Sequence, residues 1–458
     1  MESVNRKITY RMYPTVEQSV SLDEIMGLHC RVYNTLLEEH KRRYDVALPP
    51  YSFKLMCQDL TIWRNHTVAL EQLNAQSLQV TAKRVSLAFK AFFRRTKEGA
   101  EEPGYPRFKS AGRFSGWGYK THGDGWRLTE TEQLLCRKNK PRTHSLRLSG
   151  VGKIRLRGKG RFAGTPKTCE ITKKQDKWYL SVTFEVESSD VARVPGTETA
   201  AFDWGLTTLL TIAKADGTIE RVDNPRLLKN KLAALKKLQQ VVSMEEIKAK
   251  ALIGLAADQP IPKGKHLPVT PKLKRLYKQV SNFHSKITRQ RQDFYHKLSA
   301  WMVSRFGNLA SEELDVKAMV KRPKAIPGAN EEDFLPNGAE RKAKLNRSIH
   351  DAAPATLLLM IHYKAEEAGS EFSLADTKIV KPTQRCHKCG ALDPKGLHDR
   401  WHTCPECYVH LDRDENAART ILRWFNEGNY WLGTSQSADP FVCLAETPSI
   451  ADPPVCVE

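Results

Sequence analysis

Alternating and helically spaced apolar positions divide this chain into stretches of different character. RKITYRMYP alternates like a strand and stops at a proline. From residue 16 to 93 apolar residues recur at helical spacing. The pattern is clearest in LQVTAKRVSLAFKAFFRR, which also holds Lys83, Arg84, Lys90, Arg94 and Arg95. EEPGYPRFKSAGRFSGWGYK breaks it with Gly, Pro and aromatics, which is loop chemistry. From residue 126 to 186 alternation returns in SLRLSG, GKIRLRGK and TCEITKKQDKWYLSVTFEV. These runs predict hairpins of a small β-barrel or sandwich, with KKQDK as a turn.

After the linker-like VPGTET, TAAFDWGLTTLLTIAKADGTIERV predicts three strands joined by turns. Two long basic helical patterns, about 225–247 and 271–306, flank QPIPKGKHLPVTP. NLASEELDVKAM predicts a strand leading into a helix or loop. NRSIHDAAPATLLLMIHYKAEEAG is helical, with Pro354 starting or kinking it. FSLADTKIVKP is strand-like, and a helix begins near residue 415. The order predicts a multidomain α+β chain with separate β and α/β parts. The residues from about 433 onward read as a disordered tail.

Charge adds a partner. Lys and Arg number 73 against 52 Asp and Glu, a net +21. That excess suits a polyanion, because cationic contacts to phosphate release counterions; a solvated basic surface is the competing explanation. No Lys or Arg follows Arg423, so the rest of the chain is more basic still. No apolar run reaches the roughly eighteen residues of a membrane span, and MESVNRKITYRMYP has no apolar signal core, so a cytoplasmic protein is expected.

Six of the ten cysteines are scattered, which argues against a disulfide scaffold. The other four form two pairs, Cys386-x-x-Cys389 and Cys404-x-x-Cys407, with zinc-ribbon spacing. Two turns aim two thiolates each at one ion, so the site is closed and structural. His387, His398 and His402 are spare ligands, but four cysteines leave no vacancy.

The acids are less telling. Asp203 lies at a strand-to-turn corner and Asp414 at a helix start, both ordinary places for aspartate. Glu312 and Glu313 sit in a strand pattern, where acids are disfavoured. Spacing alone does not join them.

A resemblance does. AFDWGLTTLLTIA, SEELDVKAM and the cysteine pairs followed by LDRDENAARTIL resemble the three split parts of the RuvC-like nuclease in TnpB proteins, insertion-sequence-encoded RNA-guided nucleases related to compact type V CRISPR effectors. ITYRMYPTVEQ, GYPRFKSAGRFSGWGYK, NFHSKITRQRQDFYHKLS and LNRSIHDAA also resemble family segments in order, from Arg6 to about Phe425. The resemblance implies a wedge-type β-barrel at 1–15 and 100–195 and a helical recognition domain at 16–99. It implies an RNase H-like (RuvC) nuclease domain at 196–380 and 411–432, with a zinc-ribbon target-nucleic-acid-binding domain at 381–410 and the tail at 433–458. It puts the D-x-G aspartate on Asp203, the E-x-L glutamate on Glu312, with Leu314, and the D-x-N-A-A aspartate on Asp414. The zinc ligands fall on Cys386, Cys389, Cys404 and Cys407. Gln384, where Ser is usual, Tyr408, where Gly is common, and Pro354 depart from the pattern.

The three carboxylates are hard ligands suited to Mg²⁺ or Mn²⁺. Two ions there would activate water and stabilise the leaving oxygen during phosphodiester hydrolysis. The basic excess would line a channel for a guide–target heteroduplex. Gln76, Gln79, Lys83, Arg84, Arg107, Lys109, Arg113 and Lys120 are candidate nucleic-acid contacts, against the plainer reading of a solvated face. The expected function is RNA-guided cleavage of double-stranded DNA by a nucleoid-associated enzyme holding a transposon-derived or CRISPR guide RNA. A compact type V CRISPR effector, an RNA-guided repressor without cleavage and an unguided junction resolvase are the alternatives.

Overall fold

The computed structural model describes residues 3–129, 143–158, 164–191, 193–262, 265–328, 334–396 and 399–428. The chain divides into two units, Met1–Ala192 and Arg193–Glu458.

In the first unit β1 (Ser3–Tyr13) leads into α1 (Val16–Asp45). A capping box fixes the helix start: Gln18 N donates to Thr15 Oγ1, and Thr15 N donates to Gln18 Oε1. α2 (Phe53–His66), α3 (Val68–Glu71) and α4 (Ala75–Lys97) follow. Leu78, Ala82, Val85 and Phe89 recur at helical spacing on α4 and pack with Leu28, Tyr33, Leu36, Met56 and Leu60. β2 (Gly116–Tyr119), β3 (Trp126–Thr129), β4 (Thr143–Leu148), β5 (Gly152–Arg157), β6 (Thr165–Lys174) and β7 (Lys177–Glu187) join β1 in an antiparallel sheet. Its order is β2-β6-β7-β1-β5-β4-β3. The expected KKQDK turn is a two-residue hairpin with Gln175 and Asp176 at positive φ. α5 (Ser188–Val191) ends the unit.

The expected closed barrel is not found among the described residues: β2 and β3 each pair with one neighbour only. Trp117 on β2 and Trp126 on β3 nevertheless share one buried cluster with Trp178, so the sheet curves round a common core. The Leu128 N–H, on edge strand β3, donates to His122 Nε2 at 3.0 Å instead of to a neighbouring strand.

The second unit opens with a meander of β8 (Glu198–Trp204), β9 (Thr208–Lys214) and β10 (Ile219–Asp223). α6 (Leu232–Ala251) and α7 (Pro271–Arg305) then lead to β11 (Phe306–Glu312). α8 (Val316–Met319), the short ribbon β12 (Ile326–Pro327) and β13 (Phe334–Leu335), α9 (Ala339–Ala352) and α10 (Pro354–Ala368) lead to β14 (Glu371–Ala375). Pro354 starts a new helix instead of kinking one; Ala353 turns the chain at φ 40°. α11 (Thr377–Val380), the cysteine segment with β15 (Trp401–Thr403) and β16 (His410–Asp412), and α12 (Arg413–Glu427) complete the unit.

The sheet order is β10-β9-β8-β11-β14, with β8, β11 and β14 parallel and β9 and β10 antiparallel. Side chains alternate across it. Ala200, Phe202 and Trp204 pack with Tyr295, Met302 and Ile361 on one face. Ala201, Ala310 and Ala375 pack with Val380 and Ile421 on the other. Three alanines let α12 approach this second face closely.

Candidate active site and metal centre

Parity decides which acids face α12. Asp203 follows Ala201 by two residues and Glu312 follows Ala310 by two, so both share the alanine face. Ser311 pairs with Phe202 in the parallel ladder, so Glu312 and Asp203 are the next residues of adjacent strands, at their carboxyl ends. Here the strand connections diverge, the usual ligand position in open α/β sheets. Glu313 lies outside β11, its N–H bonded to Ala375 O at 2.9 Å.

Asp414 comes from α12. Its Oδ2 lies 3.8 Å from where a Cβ on Gly205 would sit. That same Cβ would fall 2.6 Å from Thr208 O, so only glycine fits the turn after Asp203. Asp412 caps α12, accepting from Asp414 N at 3.0 Å and Glu415 N at 3.2 Å. Arg413 Nη2 stands 3.4 Å from Asp414 Oδ1, and its Nη1 donates to Asp399 O.

Electrostatics tie the three acids together. Asp203 is 5% exposed. Burial, then the Glu312 and Asp414 charges, hold its carboxyl well above the ordinary range, with Arg413 opposing. Burial pushes Glu312 up to about 7. Such a trio resists carrying three negative charges unless a cation joins it.

The cysteines converge more tightly. The four thiol sulfurs lie within 4.8 Å of one another, the one such group of three or more His, Cys, Asp or Glu ligand atoms found among the described residues. Cys386 and Cys407 are 3.6 Å apart, Cys389 and Cys404 3.4 Å. Four Zn–S bonds of ~2.3 Å at tetrahedral angles would require ~3.8 Å. The cluster can therefore hold a metal ion. Burial raises the Cys389 thiol to about 12, whereas at Cys404 burial is opposed by backbone N–H groups and the Cys389 and Cys407 thiols, which together bring it down to about 7. Of the spare histidines, His387 donates from Nδ1 to Asn416 Oδ1, His402 is buried with neither ring nitrogen hydrogen-bonded among the described residues, and His398 lies outside them. Tyr408 takes the left-handed conformation, φ 57°, that the more usual glycine adopts freely.

Sequence reasoning missed the connection between the two clusters. Asn416, two residues past Asp414, is fully buried. Its Nδ2 donates to Arg385 O at 2.7 Å and Pro382 O at 3.3 Å, and its Oδ1 accepts from His387 N at 3.1 Å. Thr420 Oγ1 donates to Arg385 O, and Arg423 Nη1 to His387 O and Lys388 O. Asn416, Thr420 and Arg423 fall on one helix face, so α12 grips both flanks of Cys386. Their spacing of four and three was the available signal.

The candidate nucleic-acid residues fare unevenly. Arg84 bonds Gly116 O and pairs with Glu170 at 3.1 Å. The Lys109 backbone is locked to Asn34, and its ammonium lies over Tyr33. Gln76 accepts from Thr121 N, and Gln79 from Lys120 Nζ. Lys83, Arg107, Arg113 and Lys120 are exposed, with Lys83 and Lys120 also over the Phe53 ring.

Comparison with known proteins follows the same division of the chain. Residues 181–323 match the "Probable transposase" model of the IS605 OrfB family, and 355–421 match the Cas12f1-like TNB domain. Residues 1–46 match an IS605 OrfB helix-turn-helix model, although here they form one strand and one long helix. A Streptomyces pristinaespiralis protein assigned by name as an RNA-guided DNA endonuclease is 28% identical, over 92% of this chain and 90% of its own length. InsQ of Escherichia coli K12, named likewise, is 24% identical over 90% of both chains. The structure also resembles Cas12f1 in a complex with sgRNA and target DNA, with a TM-score of 0.53 at 11% identity, over 92% of this chain and 99% of that one. It therefore has a Cas12f-like mixed α/β multidomain fold, and it carries IS605 OrfB-type domains at 1–46 and 181–323, a Cas12f1-like TNB domain at 355–421, and likeness along most of its length to proteins named as RNA-guided DNA endonucleases.

Proposed function

We propose that this protein is an RNA-guided DNA endonuclease that hydrolyses a phosphodiester bond at Asp203, Glu312 and Asp414. The observation carrying the reading is their convergence: two adjacent parallel strand ends and one helix start place three carboxyls around the Gly205 turn. The 3-2-1-4-5 strand order, antiparallel then parallel, supports reading 196–380 and 411–432 as an RNase H-like (RuvC) nuclease domain. Residues 381–410 would form the zinc ribbon, 16–99 the recognition helices, and 1–15 with 100–195 a wedge built on the open, curved sheet.

The clustered carboxyls, with Asp203 buried and Glu312 and Asp414 partly exposed, suit Mg²⁺ or Mn²⁺, which would supply an activated water and charge neutralisation at the phosphate. Asp203 and Glu312 hold fixed positions on the sheet, and the Asp412 cap and Arg413 orient Asp414. The four sulfurs suit one structural Zn²⁺. Guide RNA and double-stranded target DNA are the partners that fit a net charge of +21. Exposed Lys83, Arg107, Arg113 and Lys120 are retained as contacts, while Arg84 and Lys109 serve the fold first.

The test is cleavage of a duplex complementary to the guide by protein purified with its RNA. Cleavage should need guide, divalent metal and all three carboxyls. Selective cutting by RNA-free protein would overturn the guided reading.

A further inference from the structure

The β15–β16 hairpin presents an aromatic side chain that the fold does not use. Trp401 is 59% exposed, while its neighbour His402 is fully buried. On the opposite strand His410 stacks against it, ring centroids 5.1 Å apart and planes at 12°. Thr403 Oγ1 lies 2.7 Å from His410 Nδ1 and fixes that imidazole. The indole is thus backed on one side and open on the other. Trp401 pairs in register with Asp412, the cap of α12. Paired Cα atoms are about 5 Å apart, and Asp412 bonds Asp414 N at 3.0 Å. The indole therefore stands on the order of 10 Å from the Asp414 carboxyl, roughly three nucleotides of a stacked strand.

We propose that Trp401, supported by His410, is a stacking platform for one unpaired nucleobase of the strand being cut. The proposal rests on the nuclease reading and specifies how the strand is held there. Around Asp412 and Asp414 a lysine would pair with the carboxyls, whereas a neutral ring grips a base without competing for them. Every base offers a π-face, so the contact is sequence-tolerant, as a guided enzyme requires. A base inside a duplex has no free face, so the platform selects a strand already unwound.

Photo-crosslinking and single-turnover kinetics test this on the guide-loaded full-length protein. With 5-iodouracil scanned along the target in an Asp414→Asn background, crosslinks to Trp401 should appear at one or two adjacent positions within about three nucleotides of the scissile phosphate. They should vanish in Trp401→Ala. That substitution, in the otherwise unaltered enzyme, should slow cutting roughly 5- to 100-fold. Target unwinding and metal content should not change. Trp401→Phe should recover most of the rate and Trp401→Leu little. Wild-type cutting by Trp401→Ala, equal rescue by Leu, or crosslinks confined to distant positions would overturn the platform and leave the nuclease reading standing. Full cutting by Asp414→Asn would instead remove the nuclease site as assigned.

Discussion

The four thiols and the three carboxyls both crowd like groups together, but the chain brings them together differently. The cysteines lie within 22 consecutive residues, Cys386 to Cys407, and two tight turns carry them. Their sulfurs sit almost at the spacing of a filled tetrahedral site. The carboxyls come from residues 203, 312 and 414 and meet only because two strands run parallel and one helix docks on their alanine face. They stay further apart than the sulfurs, and burial makes the Asp203 and Glu312 charges costly. Local turns build a closed site that supports structure. Distant segments build an open one, whose unneutralised charge is what the proposed reaction would use. Asn416 is the joint between them.

The sharpest way to break this comparison is to remove charge without shape. Asp203→Asn or Asp414→Asn should lower cleavage by about three orders of magnitude or more, while target binding by the RNA-loaded protein stays within a few-fold, because affinity comes from cations and base pairing. Binding that collapses in parallel would show that these acids organise the fold. Next comes Cys404→Ser, or zinc chelation. Metal analysis should read about one zinc per wild-type chain and near zero in the variant. Cleavage should fall at least roughly ten-fold as the clamp on α12 loosens. A metal-free protein with full activity would separate the two sites entirely.

Asn416→Ala sharpens the joint itself. It removes the Asn416 partner of His387 N and Pro382 O and leaves Arg385 O with Thr420 Oγ1 alone, at about 1–3 kcal/mol for a buried group left unsatisfied. Cleavage should drop roughly 10- to 100-fold while most of the zinc is retained. Loss of zinc with unchanged cleavage would reverse the assigned direction of support. The smallest effect is expected at Glu313→Gln, within about two-fold of wild type, because Glu313 lies past the end of β11. A dead Glu313→Gln beside an active Glu312→Gln would show that strand parity misassigned the glutamate.

The sequence exposed these features unevenly, for physical reasons. Cysteine spacing announces a ribbon because its ligands are local. Asp203 and Asp414 become legible only through family motifs, since adjacency across a parallel sheet leaves no mark in spacing. Glu312 against Glu313 needed the strand's end and the parity of Ala310. The closed barrel was overcalled because alternation reports a buried face, not whether edge strands meet; one histidine nitrogen satisfying Leu128 leaves no periodic trace. Basic residues on a helix face could not be sorted by sequence either, because Arg84 is committed to a carbonyl and a carboxylate contributed by residues 116 and 170.

The position of α12 also sets a timetable. A ribosome adds about 5–20 residues per second, so the 102 residues from Glu312 to Asp414 take roughly 5–20 seconds to make. Until α12 is made, the sheet lacks the third carboxyl and its alanine face, completed by Ala375, lacks the cover of Ile421. A nascent chain, or a product truncated before Arg413, lacks Asp414 and, on the proposed site, is expected not to cut DNA. It does expose apolar surface that chaperones and proteases recognise. On the proposed site, α12, the last helix among the described residues, would supply the third carboxyl and cover that surface in one step.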